Sequence, residues 1–374
     1  MNIAVIFGGE SCEHDISIIT GEQLIDKCSE YLYNIIPIYI DKHGNWFTSE
    51  KLLDIDVFKS DLKGIINCAF VPNDKHIYIK KGKKYKKDRQ IDMAFLCLHG
   101  LRGEDGCVAS IMELSKIPYS SSSICSSSVC MDKCVFKNFA KGFGIKQVDY
   151  FCLTENEFFL DFESVKSKVL DLKYPIIIKP SRQGSSIGIE VCKNENELYD
   201  KLKKSFIYDK KILIEKFINI KKEVNVAILY DKGELIVSNT EEPISNDIIL
   251  SFDNKYRKNP SGFEGIKRIS PAKITKRQHE EIVNTAKSVY NELEMFGIVR
   301  FDFIISNDNE IYLNEVNTIP GSMANYLFDK EEYSYSKLIE LLISNAIKRF
   351  KESDSVSKIF DSDVLTNDFD GFKK

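Results

Sequence analysis

Short apolar runs alternate with amphipathic stretches along the first hundred residues. Residues 2–7 form an apolar run that predicts a buried strand, Gly8-Gly9 a turn, and 15–27 a helix. Further strands are predicted at 35–40 and 93–98. Strand, glycine turn, helix and strand in that order predict an α/β fold with an open parallel sheet covered on both faces. The stretch 42–89 is polar and Lys-rich and reads as a peripheral elaboration.

The period changes further along. Residues 133–142 read as a helix, 175–179 as a strand, 181–188 as a Gly/Ser loop and 189–192 as another strand. A strand at 210–217 precedes two alternating segments, 224–229 and 235–238, that suit an antiparallel pair. Residues 276–293 are a long amphipathic helix, and strands 299–306 and 310–316 flank the turn Asn307-Asp308-Asn309. The serine run at 120–123 and 126–128 marks a domain boundary. Residues 242–265 carry no period, and an uncommitted loop of that length is usually functional or disordered. The acidic, Ser/Asp-rich end from 351 to 374 is expected to be a mobile tail.

Composition narrows the class. At 374 residues, and ~150 residues per domain, the chain has room for two or three domains. With 43% hydrophobic and 29% charged residues it reads as a globular protein, not a disordered or fibrous one. No apolar run reaches the ~18 residues of a spanning helix, and the first residues lack a basic signal region, so a cytoplasmic protein without a membrane partner is expected. A net charge of −4 excludes a general nucleic-acid surface. Only eight of the 52 basic residues are Arg, which makes an Arg inside a motif informative. Ten Cys without a Cys-x-x-Cys pair read as reduced thiols, not as disulfides or a sulfur-ligated metal.

Three groups of residues carry chemistry. Arg300-Phe301-Asp302 and Asn314-Glu315-Val316-Asn317 lie on the two final strands, where alternation puts Arg300 with Asp302 and Glu315 with Asn317. Two carboxylates and an amide oxygen are hard ligands suited to Mg²⁺ that keeps waters and substrate phosphates. Lys179 ends a strand before Ser181–Gly188, offering an ammonium and unhindered backbone N–H groups to a polyphosphate. This is not the GxxxxGK[ST] pattern of a P-loop. Glu13 and His99 end strands of the first sheet, near Gly103-Glu104-Asp105-Gly106. Glu13 suits a substrate ammonium or the positive end of the following helix equally well, and His99 suits a site or a cap.

In this order, GGESCEHDIS, CLHGLRGEDG, SSVCMDK, IIIKPSRQGSSIG, LIEKF, RFDF and LNEVNTIPGS resemble the D-alanine–D-alanine ligases, which are ATP-grasp enzymes. The resemblance covers roughly residues 1–348. It implies an N-terminal α/β substrate domain (1–122), a central ATP-grasp domain (123–218) and a C-terminal ATP-grasp and metal domain (219–350) whose lid is 242–265. ATP lies between the last two. The substrates implied are ATP and D-alanine, joined through an acyl phosphate for peptidoglycan precursors, with two Mg²⁺ (or Mn²⁺) ions and a homodimeric assembly. Lys133 and Lys179 become phosphate lysines beneath a loop carrying Ser185 and Ser186. Glu215, Lys216 and Ile218 match the adenine hinge and Glu223, after one inserted residue, the ribose carboxylate. Asp302, Glu315 and Asn317 match the metal ligands, Glu315 bridging both ions. Glu13, near His99, matches the carboxylate that binds the first ammonium. Lys255 would reach the γ-phosphate, and Tyr256 would latch the lid to Ser185 and Glu13. Arg300 and the Gly321 N–H would stabilise the acyl phosphate and the tetrahedral intermediate.

The resemblance implies that Tyr326 and Leu327 bind the second substrate, and many relatives carry Ser at the first of these positions. Tyr256 speaks for D-alanine as acceptor and against D-lactate, while Tyr326 leaves D-serine open. The alternatives are therefore a D-alanine–D-serine or D-lactate ligase, another ATP-grasp carboxylate–amine ligase, and a non-catalytic nucleotide-binding relative.

Overall fold

The computed structural model describes residues 1–29, 33–59, 62–244, 267–329 and 331–362. Strands β1 (Asn2–Gly8) and β2 (Asn34–Ile40) flank helix α1 (His14–Ser29) and pair in parallel. Then come β3 (Trp46–Thr48), β4 (Ile66–Val71), β5 (Asp74–Lys81), β6 (Lys84–Gln90) and β7 (Met93–Leu96). The seven form one sheet in the order β6-β5-β4-β3-β2-β1-β7. β1 is almost wholly buried, as a parallel strand must be when both faces are covered. Ile3, Val5 and Phe7 face α1, and Ala4 and Ile6 face helix α2 (Cys107–Leu114).

The sheet is mixed. Its parallel core is the expected one, and the peripheral segment 42–89 extends it at one edge by antiparallel strands. Strand β6, at the edge of the sheet, is exposed along nearly its whole length and carries mostly charged residues, which an antiparallel edge strand permits.

Helices α3 (Ile124–Met131) and α4 (Lys133–Gly142) follow. A second sheet contains β8 (Tyr150–Thr154), β9 (Ile176–Pro180), β10 (Glu190–Cys192) and β11 (Lys211–Lys216), ordered β10-β9-β11-β8. Its apolar face packs on α5 (Glu155–Leu160), α6 (Phe162–Leu172) and α7 (Glu195–Phe206).

The last unit starts with β12 (Ile220–Asp231), β13 (Glu234–Val237), β14 (Glu242–Pro243) and β15 (Arg268–Ile269). Helix α8 (Lys276–Glu292) opens on a Thr275/Gln278 capping box and is followed by β16 (Val299–Ser306), β17 (Ile311–Asn317) and helix α9 (Tyr335–Ser355). The third sheet runs β13-β12-β16-β17. Val224 and Val226 pack with α4 and α8, while Ala227 and Leu229 join the core beneath β1 and α9. Helix α9 takes in residues 351–355, which the sequence assigned to the tail.

A buried charge triad ties α4 to the second sheet. Glu215 of β11 is paired with Lys137 of α4 at 2.5 Å and with Lys179 of β9 at 2.5 Å. Burial by itself raises the Glu215 carboxyl, but the two ammonium groups outweigh it and hold the group down at about 2. Burial pushes the Lys137 ammonium down, opposed by Glu215. A carboxylate depressed in the fold stabilises it above the ordinary carboxylate range and loses that contribution as pH falls towards 2. Lys137→Met, which keeps the volume and removes the charge, should therefore cost roughly 3 kcal/mol of stability at neutral pH. Chemical denaturation across pH checks it: the penalty should shrink below pH ~4, and a pH-independent penalty would contradict the charge account.

Candidate active site

A cavity of about 250 Å³ opens where the second and third sheets meet the carboxyl ends of β1 and β7. One wall is the β16–β17 hairpin. Its register sets Arg300 opposite Asn317 and Asp302 opposite Glu315, then slips so that Phe303 faces Leu313. The bulged residue is Asn314, so Asn314, Glu315 and Asn317 all line the cavity although strict alternation would separate the first two. Arg300 forks onto Asp302, Nε to Oδ1 at 2.7 Å and Nη2 to Oδ2 at 2.8 Å. Asn317 Nδ2 donates to Asp302 Oδ2 at 3.0 Å. Among the described residues no three His, Cys, Asp or Glu cluster as a metal site. The expected donor set is different: two carboxylates and an amide oxygen on one wall, which fits an oxygen-seeking divalent ion that takes its other ligands from water and phosphate.

The facing wall comes from β9 and α4. Lys133 Nζ donates to the Gln183 carbonyl at 2.6 Å and lies 3.9 Å from Glu315. Lys179 Nζ donates to Asn314 Oδ1 at 3.2 Å besides pairing with Glu215. Asp132 caps α4, accepts from Ser181 and pairs with Lys211, which locks the start of the Gly/Ser loop to the helix. In the loop Ser185 and Ser186 adopt φ of 50° and 61°. A Cβ at Gly184 would lie 2.4 Å from Glu13 Oε2, so any side chain there would push the Glu13 carboxylate from its place. Ser185 Oγ donates to Glu13 Oε1, joining residues 172 apart in sequence.

At the end nearest the first sheet, Glu13 is buried at the start of α1. His99 lines the cavity and also bonds Thr20 Oγ1 through Nε2 at 2.9 Å, so site and structural contact coexist. Burial and the nearby Arg300 push His99 down to about 4, leaving it neutral at neutral pH. Glu104 also lines the cavity and accepts from the Gly100 N–H at 2.8 Å. Burial and the Glu13 charge raise its carboxyl to about 8. A carboxyl raised that far holds its proton at neutral pH, so Glu104 is neutral there.

The remaining expected residues fall into three groups. Ser186, Ile218, Glu223, Gly321 and Tyr326 line the cavity. Glu215, Lys216 and Leu327 do not have side chains on it. Glu215 is consumed by its two lysines, Lys216 points to solvent, and Leu327 is 1% exposed within the apolar core, so only their main chains could serve a ligand. Lys255 and Tyr256, with most of the expected lid, lie outside the described residues. Residues without a role in the sequence reading also reach the wall: Asn225, Glu241 and Arg268. Glu241 and Arg268 flank the aperiodic stretch, so no pattern pointed to them; the scarcity of Arg was the one available signal.

Comparisons with known proteins agree with this arrangement. The family described as D-ala D-ala ligase N-terminus matches residues 2–122, and that described as D-ala D-ala ligase C-terminus matches 139–344. A D-alanine–D-alanine ligase of Thermosipho melanesiensis is 36% identical, with 98% of each chain covered. One from Geobacillus thermodenitrificans is 31% identical over 96% of this chain and 99% of its own. Among solved structures, the D-alanine–D-alanine ligase of Coxiella burnetii superposes with a TM-score of 0.79 at 25% identity, covering 95% of this chain and 96% of its own. The VanG D-Ala:D-Ser ligase of Enterococcus faecalis gives 0.77 at 28% identity, covering 92% and 99%. With both halves of the family matched in order, and relatives aligned end to end over a shared fold, the chain belongs to the D-alanine–D-alanine ligase family of ATP-grasp enzymes.

Proposed function

We infer that this enzyme joins two molecules of D-alanine at the expense of ATP, forming D-alanyl-D-alanine for peptidoglycan precursors. The observation that carries the reading is one cavity in which Asp302, Glu315 and Asn317 face Lys133 and Lys179, with Glu13 and Ser185 at its inner end. ATP lies between a central domain (123–218) and a C-terminal domain (219–350), its adenine in the apolar part lined by Ile177, Phe217, Ile218 and Phe303. Main-chain atoms of 215–218 read the base edge, Glu223 takes the ribose, and Lys133, Lys179 and the Ser185-Ser186 loop hold the phosphates. Lys255 approaches the γ-phosphate from the lid.

Glu13 binds the ammonium of the first D-alanine, and neutral His99 lines the wall beside it. The carboxylate of that first D-alanine attacks the γ-phosphorus, the bond to the β-phosphate oxygen breaks, and ADP is the leaving group. The amine of the second D-alanine then attacks the acyl carbon, and phosphate departs as the amide forms. Arg300 and the Gly321 N–H face the oxygen that gains charge. Asp302, Glu315 and Asn317 would hold the Mg²⁺ or Mn²⁺ ions, two in the resemblance, which would neutralise transferred phosphoryl charge. Tyr256 completes the Glu13–Ser185 pair when the lid covers the site. The protein acts in the cytoplasm as a homodimer; among the described residues no helix is long and apolar enough to cross a membrane.

Phosphate release with ATP, Mg²⁺ and a panel of D-amino acids tests the reading, and absence of D-alanine-dependent turnover would overturn it. Acceptor choice is settled by competition at equal D-alanine and D-serine with products separated by mass. D-alanyl-D-alanine should dominate, although an added hydroxyl is rejected by only ~10²-fold or less. Glu315→Gln keeps the shape and removes one carboxylate charge from the hairpin wall; turnover should fall at least ~100-fold with folding intact. Near-normal turnover at saturating Mg²⁺ would remove the hairpin from the chemistry.

A further inference from the structure

Two arginines line the cavity among the described residues, Arg300 and Arg268. Arg300 is forked onto Asp302. Arg268, at the start of β15, lies over the ring of Tyr326, its guanidinium carbon 4.2 Å from the ring centroid. Its Nε is 3.5 Å from Glu241 Oε2, and Glu241 Oε1 accepts from Asn225 Nδ2 at 3.0 Å. The Tyr326 hydroxyl in turn accepts from Arg300 Nη1 at 3.5 Å. Asn225, Glu241, Arg268, Tyr326 and Arg300 thus form a continuous polar strip along the wall opposite Lys133 and Lys179.

We propose that Arg268, steadied by Tyr326 and Glu241, receives the carboxylate of the acceptor amino acid and makes the enzyme select acceptors that carry one. The inference rests on the ligase reading. That reaction brings two carboxylates into the cavity, and only the donor's is activated. The donor's must sit where the phosphoryl group arrives, among the hairpin carboxylates and the two lysines. The acceptor's amine must approach the same carbon from another side, and a single Cα separates that amine from its own carboxylate. The Tyr326 hydroxyl, beside Arg300, marks that side, and Arg268 is the next group along it.

The chemistry of the group suits the task. A guanidinium carries five N–H donors in a planar fork that matches a carboxylate and can stack on an aromatic face at the same time. The Arg268 side chain keeps 19% of its surface exposed, so it is ordered by its neighbours without being sealed from the cavity. Glu241, 4% exposed, sits behind it. Burial raises the Glu241 carboxyl and Arg268 opposes this, as expected of a buried partner that orients a cation.

The test is an internal competition. The enzyme receives ATP, Mg²⁺ and equal concentrations of D-alanine and D-alaninamide, and the products D-alanyl-D-alanine and D-alanyl-D-alaninamide are separated by mass. D-alaninamide has no carboxylate to activate and can act only as acceptor, and a product ratio does not depend on how much variant is folded. The wild type should favour the free acid. Arg268→Met, which keeps length and contact with the Tyr326 ring, should lower the ratio of acid to amide roughly 10- to 100-fold. Arg268→Lys, which keeps the charge without the fork, should lie between. A ratio within about 2-fold of wild type in Arg268→Met, whatever the loss in turnover, would overturn the inference and leave Arg268 a packing partner of Tyr326. A wild type that makes neither product would overturn the ligase reading, and this inference with it.

Discussion

Charge held in a confined cleft is the constraint on which this molecule is organised. Glu215 sits between Lys137 and Lys179, Asp302 against Arg300, Glu241 against Arg268, and Glu315 near Lys133. In a medium of low effective dielectric an unmatched charge is costly, and matching is what lets so many ionised groups share one cavity. Where matching fails, the proton balance shifts instead: burial, reinforced by Glu13, keeps the proton on Glu104, and burial, reinforced by Arg300, keeps His99 neutral.

The same alternation explains why the elements converge as they do. Lys133 and Lys137 stand on α4, Lys179 and Glu215 on the second sheet, Asp302 and Glu315 on the third, and Glu13 at the head of α1. Apart from Arg300–Asp302, which lies within β16, these pairings join different segments of the chain, so the ion pairs that suit the cavity for phosphate also hold its walls in register. The bulge at Asn314 belongs to this design, since it turns one more polar side chain towards Lys179. A preorganised set of charges of this kind stabilises transferred phosphoryl charge without rearrangement during the reaction.

Much was legible in the chain itself. Alternation along 299–317 placed Arg300, Asp302, Glu315 and Asn317 correctly, because a two-residue period leaves little freedom once Phe301, Phe303 and Leu313 must be buried. The apolar runs of β1, β2 and β7 announced a parallel core, and the seven ordered motifs announced the family. Local propensity and burial determine such features, and both are written residue by residue.

Tertiary structure decided the rest, because it depends on which distant residues meet. Nothing near Glu215 in sequence says that Lys137 and Lys179 will claim its carboxylate, which makes the side chain a buried structural anion. Leu327 follows a cavity residue yet turns into the core, since the 3-10 segment Gly321–Leu327 passes through left-handed φ at Ser322, Met323 and Ala324. The strands within 42–89 were hidden because a half-exposed antiparallel strand carries charges that read as loop. Arg268 and Tyr326 lie 58 positions apart with no shared pattern, and only the packing of β15 against the Gly321–Leu327 segment stacks one on the other. Sequence sets what each element can be; long-range pairing of charge and ring sets what the site does.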